Sequence, residues 1–94
     1  MNKKLECIKR LVEFERFYDL KEWMVESKLA LESDFKGLTR DSEKAEYIYI
    51  TLTKAAQDGS ILMLLDYEWS LLPFESIKLT CITNAEKKEF TVGL

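Results

Sequence analysis

The spacing of the apolar residues changes near residue 21, and this change constrains the fold more than any other feature of the sequence. Before residue 21, apolar residues recur with the period of an amphipathic helix. Several later segments instead alternate apolar and polar residues, as half-buried strands do. The pattern predicts an α+β fold, and a length of 94 residues is typical of one domain.

The predicted helix covers residues 2–20. One arc of its helical wheel collects apolar side chains, and charged side chains such as Lys9 and Glu13 occupy the opposite arc. Two carboxylates, Glu15 and Asp19, interrupt the apolar arc one helical turn apart. The apolar arc is expected to pack on the sheet, and its members are Leu5, Cys7, Ile8, Leu11, Val12, Phe14 and Tyr18.

Five later segments are predicted strands, namely residues 22–32, 46–53, 60–69, 76–83 and 89–94. The first is rich in helix-forming residues, but its apolar residues separate onto one face only as a strand. The second consists almost wholly of β-branched and aromatic residues and is the strongest of the five. Because short connections favour a meander, the sequence predicts an N-terminal amphipathic helix packed on a curved antiparallel sheet of about five strands.

The charges of the sequence narrow the class of partner. Fourteen basic and 17 acidic side chains are scattered along the chain and give a net charge of −3. No basic patch is therefore expected to attract nucleic acid or an anionic membrane. No apolar run approaches the roughly 18 residues of a membrane span, and residues 1–10 do not resemble a secretory signal. The expected location is the cytoplasm, with neither nucleic acid nor membrane as a partner.

The chain has no histidine and only two cysteines, so we expect no metal site, no cofactor and no enzymatic activity. Cys7 and Cys81 lie within apolar patterns and are expected to be reduced core thiols. The alternatives are a redox pair or a nucleophilic Cys7.

Two other features carry weak chemical signals. Glu15 and Asp19 could share a proton or hold a cation in an enzyme, but a position at the rim of the helix end is favoured. The segment Asp58-Gly59-Ser60 has a glycine in common with phosphate-binding loops and lacks their other residues. It is expected to be a hairpin turn.

The outer face of the predicted sheet is the strongest candidate for a functional surface. If Ile48 and Leu52 face the helix, neighbouring tyrosines and the aliphatic residues of later strands face away from it. Soluble monomers rarely expose contiguous apolar patches, so this face is expected to contact protein. A register error of one residue would exchange the two faces, and strong curling would blur them. The predicted contact residues are Tyr47, Tyr49, Leu62, Leu64 and Ile82.

These features favour a non-enzymatic, small cytoplasmic protein-binding module. It would act as an inhibitor, an immunity or anti-defence protein, or an adaptor, as small proteins of phages and mobile elements often do. Its partner would be another protein or a second copy, which would make a dimer. The alternative is a small-ligand carrier or sensor with a pocket between helix and sheet, lined by Tyr18, Trp23, Tyr67 and Trp69.

Overall fold

The structure of the protein is a computed structural model that describes residues 2–14, 16–69 and 75–93. The described residues form three α-helices and a three-stranded antiparallel sheet, so the α+β class is confirmed. A short 3₁₀ helix precedes the third α-helix. In chain order the elements are α1 Lys3–Glu13, α2 Phe17–Glu26, the 3₁₀ helix Glu32–Phe35, α3 Asp41–Gln57, β1 Leu62–Trp69, β2 Glu75–Ile82 and β3 Lys87–Gly93.

The sheet has the order β1-β2-β3, and each strand is antiparallel to the next. These strands coincide with three of the five predicted ones to within about two residues, apart from Leu94, which lies outside the described residues. Alternation decides which face is buried. The inner face carries the buried side chains of Met63, Ile77, Leu79, Cys81, Phe90 and Val92.

The predicted strand at residues 22–32 is wrong, because residues 22–26 belong to α2 and a turn follows. Trp23 and Met24 are neighbours in sequence and are both buried. A strand points neighbouring side chains to opposite faces, whereas one helix stripe can bury both of them. Together with Phe17 and Leu20 they give the spacing of three and four residues that an amphipathic helix requires.

The predicted strand at residues 46–53 is also wrong, because these residues lie inside the 17-residue helix α3. The buried residues of α3 are Ala45, Ile48, Leu52 and Ala55, which recur every three or four positions. This helical period is visible only over a window longer than the eight residues that alternate. Burial of that stripe overrides the β propensity of the isoleucines, tyrosines and threonines. The described sheet accordingly has three strands, and the predicted five-stranded curved meander is not found.

The predicted helix at residues 2–20 is divided into α1 and α2. Asn2 caps α1, since its Oδ1 atom accepts a hydrogen bond from the Leu5 N–H at 3.1 Å. At the other end, the Arg16 N–H donates to the Leu11 carbonyl at 2.8 Å and closes the last turn. Phe17 is buried at the start of α2, although a single helix over residues 2–20 would place it on the polar side.

One apolar core joins the helices to the sheet. Helix α1 contacts α3 and also contacts β2 and β3. The fully buried side chains of this core come from all of these layers, and they include Cys7, Leu11, Ile48, Leu52, Leu79 and Cys81. No described helix has both the length and the hydropathy that a membrane span needs.

Candidate functional site

The outer face of the sheet carries an exposed apolar patch. Leu62 and Leu64 of β1 are 54% and 43% exposed, and both point away from the helices. In the sheet register Leu62 lies opposite Ile82 and Leu64 lies opposite Thr80. Side chains opposite each other on one face have Cβ atoms about 5 Å apart, so the four form a contiguous surface. We call Leu62, Leu64 and Ile82, together with the buried Thr80 between them, the outer-face patch.

Charged residues of both signs border the outer-face patch. Asp66 lies opposite Lys78 across β1 and β2. On β3, the Lys87 Nζ and Glu89 Oε1 atoms form an ion pair at 3.3 Å. Each carboxylate in this border therefore neighbours a lysine, and the formal charges of the four residues cancel. The border selects neither a strongly acidic nor a strongly basic partner.

The patch contains three of the five predicted contact residues. Leu62, Leu64 and Ile82 share the outer face, as the alternation of β1 and β2 predicts. Thr80 was missed, although its position between these residues follows from the same alternation. It is only 5% exposed, because the patch and the neighbouring Glu89 surround it in the register.

The placement of Tyr47 and Tyr49 on the same sheet face is wrong, because both belong to α3. The Tyr47 hydroxyl donates to the Asp34 Oδ2 atom at 3.0 Å, and its ring packs edge-on against Phe35 with centroids 5.2 Å apart. Burial, and to a smaller extent Asp34, raises the pKa of Tyr47. The Tyr49 hydroxyl accepts a hydrogen bond from the side-chain amide of Asn2. Both tyrosines therefore fasten α3 to neighbouring segments.

The residues proposed for a ligand pocket do not line one cavity. Tyr18 is 71% exposed on α2, whereas Trp23 is 3% exposed and packs in the core. Five positions along a helix correspond to a rotation of roughly 140°, which separates the two rings. Tyr67 and Trp69 belong to β1, and their side chains lie outside what the structure describes.

The clefts of the described surface are open to solvent and have both polar and apolar walls. One of about 450 Å³ lies between the end of α2 and the connection from β2 to β3, with Lys28, Thr83 and Asn84 in its lining. The Thr83 hydroxyl accepts backbone hydrogen bonds from Ala85 and Glu86 within that connection. Thr83 thus stabilises the connection between β2 and β3.

The carboxylates considered for catalysis do not form a described pair. Asp19 makes an exposed ion pair with Arg16 at 3.3 Å, and Glu15 lies outside the described residues. Among the residues that the structure describes, no cluster of three or more acidic or cysteine side chains could hold a metal ion. Asp19 is therefore placed as an ordinary surface partner of Arg16.

The segment Asp58-Gly59-Ser60 connects α3 to β1, so the predicted hairpin turn is wrong. Gly59 adopts a φ of 80°, a conformation that glycine reaches without steric cost. Its N–H donates to the Ala56 carbonyl at 3.2 Å. A helix C-terminus presents carbonyls and partial negative charge, which disfavours phosphate at this position.

Both cysteines are free and buried in the core. Burial raises the pKa of the Cys7 thiol to about 11, against a smaller opposing effect of Arg10. Burial also raises the pKa of Cys81 to about 12, and Cys7 adds to this effect. Both thiols are therefore protonated near neutral pH, which makes them poor nucleophiles.

Comparisons with protein-family models, with curated proteins and with solved structures find no match. The outer-face patch is thus the feature from which a function can be argued.

Proposed function

We propose that this protein is a non-enzymatic binding module that contacts another protein chain through the outer-face patch. Such a module would act as an inhibitor, an immunity or anti-defence protein, or an adaptor. The observation that carries the proposal is the exposure of Leu62 and Leu64, at 54% and 43%, side by side on one strand. Their inward-facing neighbour Met63 is buried, so the strand is well packed on one face and open on the other.

Contiguity distinguishes the patch from other exposed apolar residues. Phe14, Tyr18, Leu31 and Ile50 are also exposed, but they belong to four separate segments of the chain. Single exposed apolar side chains are common on protein surfaces and need no partner. A cluster of neighbouring ones within a charged border has the layout of an interface, with an apolar centre and a polar rim.

Burial of the patch would supply part of the energy of binding. Complete burial of a leucine side chain contributes about 2 kcal/mol, so burying the exposed half of each contributes about 1 kcal/mol. Leu62 and Leu64 together with Ile82 therefore supply an anchor that rim contacts can extend. The alternative of a small-ligand carrier is less well supported, because Tyr18 and Trp23 lie on different sides of α2 and line different cavities.

The test compares three forms of the protein: wild type, the double variant Leu62→Ser/Leu64→Ser, and the control Ile50→Ser. Ile50 is 41% exposed, close to Leu64, but it lies on α3 away from the patch. Each form is immobilised on a resin and incubated with lysate of the cells that express the protein. Each form is also examined alone by sedimentation. Thermal melts followed by circular dichroism verify that the three forms fold.

We expect wild type and Ile50→Ser to hold one protein in stoichiometric amount, or to self-associate. The double variant should lose that binding by roughly tenfold or more, because central apolar anchors dominate interface energies. Equal binding and equal sedimentation by all three forms would contradict the proposal.

A further inference from the structure

The free edge of β1 differs from the free edge of β3. Among the described residues only β2 pairs with β1, so one side of β1 presents unpaired backbone groups. Edge strands are commonly protected by charge, and β3 begins with Lys87, Lys88 and Glu89. The first half of β1 and the residue before it, Ile61–Leu65, are apolar throughout.

We propose that two copies of this protein join through their β1 edges, antiparallel and centred on Met63, into one six-stranded sheet. This inference rests on the proposed function and names a second copy of the chain as the occupant. The two-fold axis stands perpendicular to the sheet, which keeps both inner faces on one side and both outer-face patches on the other.

The sequence around Met63 is self-complementary in this register. Leu62 lies opposite Leu64 of the second copy, and Ile61 lies opposite its Leu65. Every cross-strand pair within Ile61–Leu65 is then apolar on both members. The first charged residue of the strand, Asp66, lies opposite Ser60 and meets no like charge.

Neighbouring registers lack this complementarity. Residues that lie opposite each other in an antiparallel pair point to the same face of the sheet. Moving the centre of the pairing by one residue therefore moves the partner of every residue by two positions. Centring on Leu64 places Leu62 opposite Asp66, and centring on Leu62 places Leu64 opposite Ser60. Only the Met63 centre pairs both outer leucines with leucines.

Pairing in this register also joins the two outer-face patches. A row across the four central strands reads Ile82, Leu62, then Leu64 and Thr80 of the second copy, and the symmetric row lies beside it. The neutral border favours self-association, since each patch meets a copy with the same balanced charges. An edge contact of this length is small, so we expect a weak and concentration-dependent dimer.

Two double variants that remove the same leucines test the register. In Leu62→Lys/Leu64→Lys, two like-charged pairs face each other across the new edge contact. In Leu62→Glu/Leu64→Lys, each introduced glutamate faces an introduced lysine of the second copy. Sedimentation from about 1 to about 500 µM measures both, because interfaces of this size are weak.

We expect the mixed-charge variant to dimerise at least about tenfold more tightly than the double-lysine variant, since opposite charges stabilise and like charges destabilise cross-strand pairs. Circular dichroism melts verify that both are folded. Equal dissociation constants overturn the pairing.

Disulfide trapping provides a second measurement that does not depend on charge. Opposite Cα atoms in an antiparallel pair lie about 5 Å apart, within the range that a disulfide spans. A mixture of Leu62→Cys and Leu64→Cys chains should form the mixed dimer faster than either chain forms its own. The buried Cys7 and Cys81 do not compete, and Ile50→Cys is the control for random collision. Equal rates for the mixture and the control overturn the register.

The failure of this inference is distinguishable from failure of the proposed function. A wild type that stays monomeric over the whole concentration range overturns edge pairing. If the wild type binds a different protein and Leu62→Ser/Leu64→Ser loses that binding, the proposed function stands without edge pairing.

Discussion

Trp23 of α2 packs edge-on against Phe90 of β3, with ring centroids 5.9 Å apart and ring planes inclined at 67°. The contact joins the second helix to the far edge of the sheet. The indole Nε1 atom is buried and has no hydrogen-bond partner among the described residues, so the ring acts through packing. Because Trp23 is only 3% exposed, little of its ring is accessible to a ligand.

We therefore expect Trp23→Ala to lower the free energy of unfolding by about 3–5 kcal/mol, because it removes a large buried side chain. Tyr18→Ala, on the exposed side of the same helix, should change it by less than about 0.5 kcal/mol. Urea unfolding followed by circular dichroism measures both. Comparable losses in the two variants would contradict the assignment of Trp23 to the core.

The β2–β3 hairpin could be predicted from sequence because its information is local. Leu79 and Phe90 pair across a short connection, and each lies within a segment of strict alternation. The strand around Leu62 and Leu64 starts with a continuous apolar run instead, and it was predicted from that run and from the turn before it. Since register determines which face a side chain occupies, the placement of these two leucines and Ile82 on the outer face followed.

The helices were harder to predict because burial, rather than local pattern, determined their type. Over a short window, Tyr47 and Tyr49 alternate with isoleucines as the residues of a strand do. Over the whole of α3, Ala45 and Ala55 extend the buried stripe of Ile48 and Leu52 to a helical period. The alanines carry little hydrophobic signal, although both are buried in the core. This is why two of the five predicted contact residues were assigned to the wrong surface.

Stability should decline at alkaline pH because of the buried thiols. Burial raises the pKa of Cys7 to about 11 and of Cys81 to about 12, whereas thiols in the unfolded chain ionise near about 8.5. As pH rises through this interval the unfolded state loses protons first. The stabilisation is therefore complete below about pH 8.5 and is lost as pH rises towards 11 and 12.

Urea unfolding at about pH 8 and about pH 10 measures this decline, with Cys7→Ala/Cys81→Ala as the matched variant. The variant is less stable overall, but it should lose less stability between the two pH values. An equal decline in both proteins would show that groups other than the two thiols account for it.

The end of α2 offers a test of backbone strain. Lys28 has a φ of 61°, and its N–H donates to the Val25 carbonyl at 3.1 Å. The next N–H, of Leu29, donates to the Met24 carbonyl at 2.9 Å, which completes a Schellman motif with Lys28 in the position that favours glycine. Lys28→Gly should therefore raise the free energy of unfolding by about 0.5–1 kcal/mol, because it relieves the left-handed conformation.

Ser27→Gly is the control. Ser27 has a φ of −81°, so glycine there adds unfolded-state entropy without relieving strain and should lower the free energy of unfolding. Chemical denaturation of the two variants distinguishes them, and an equal loss of stability in both would show that Lys28 is not strained.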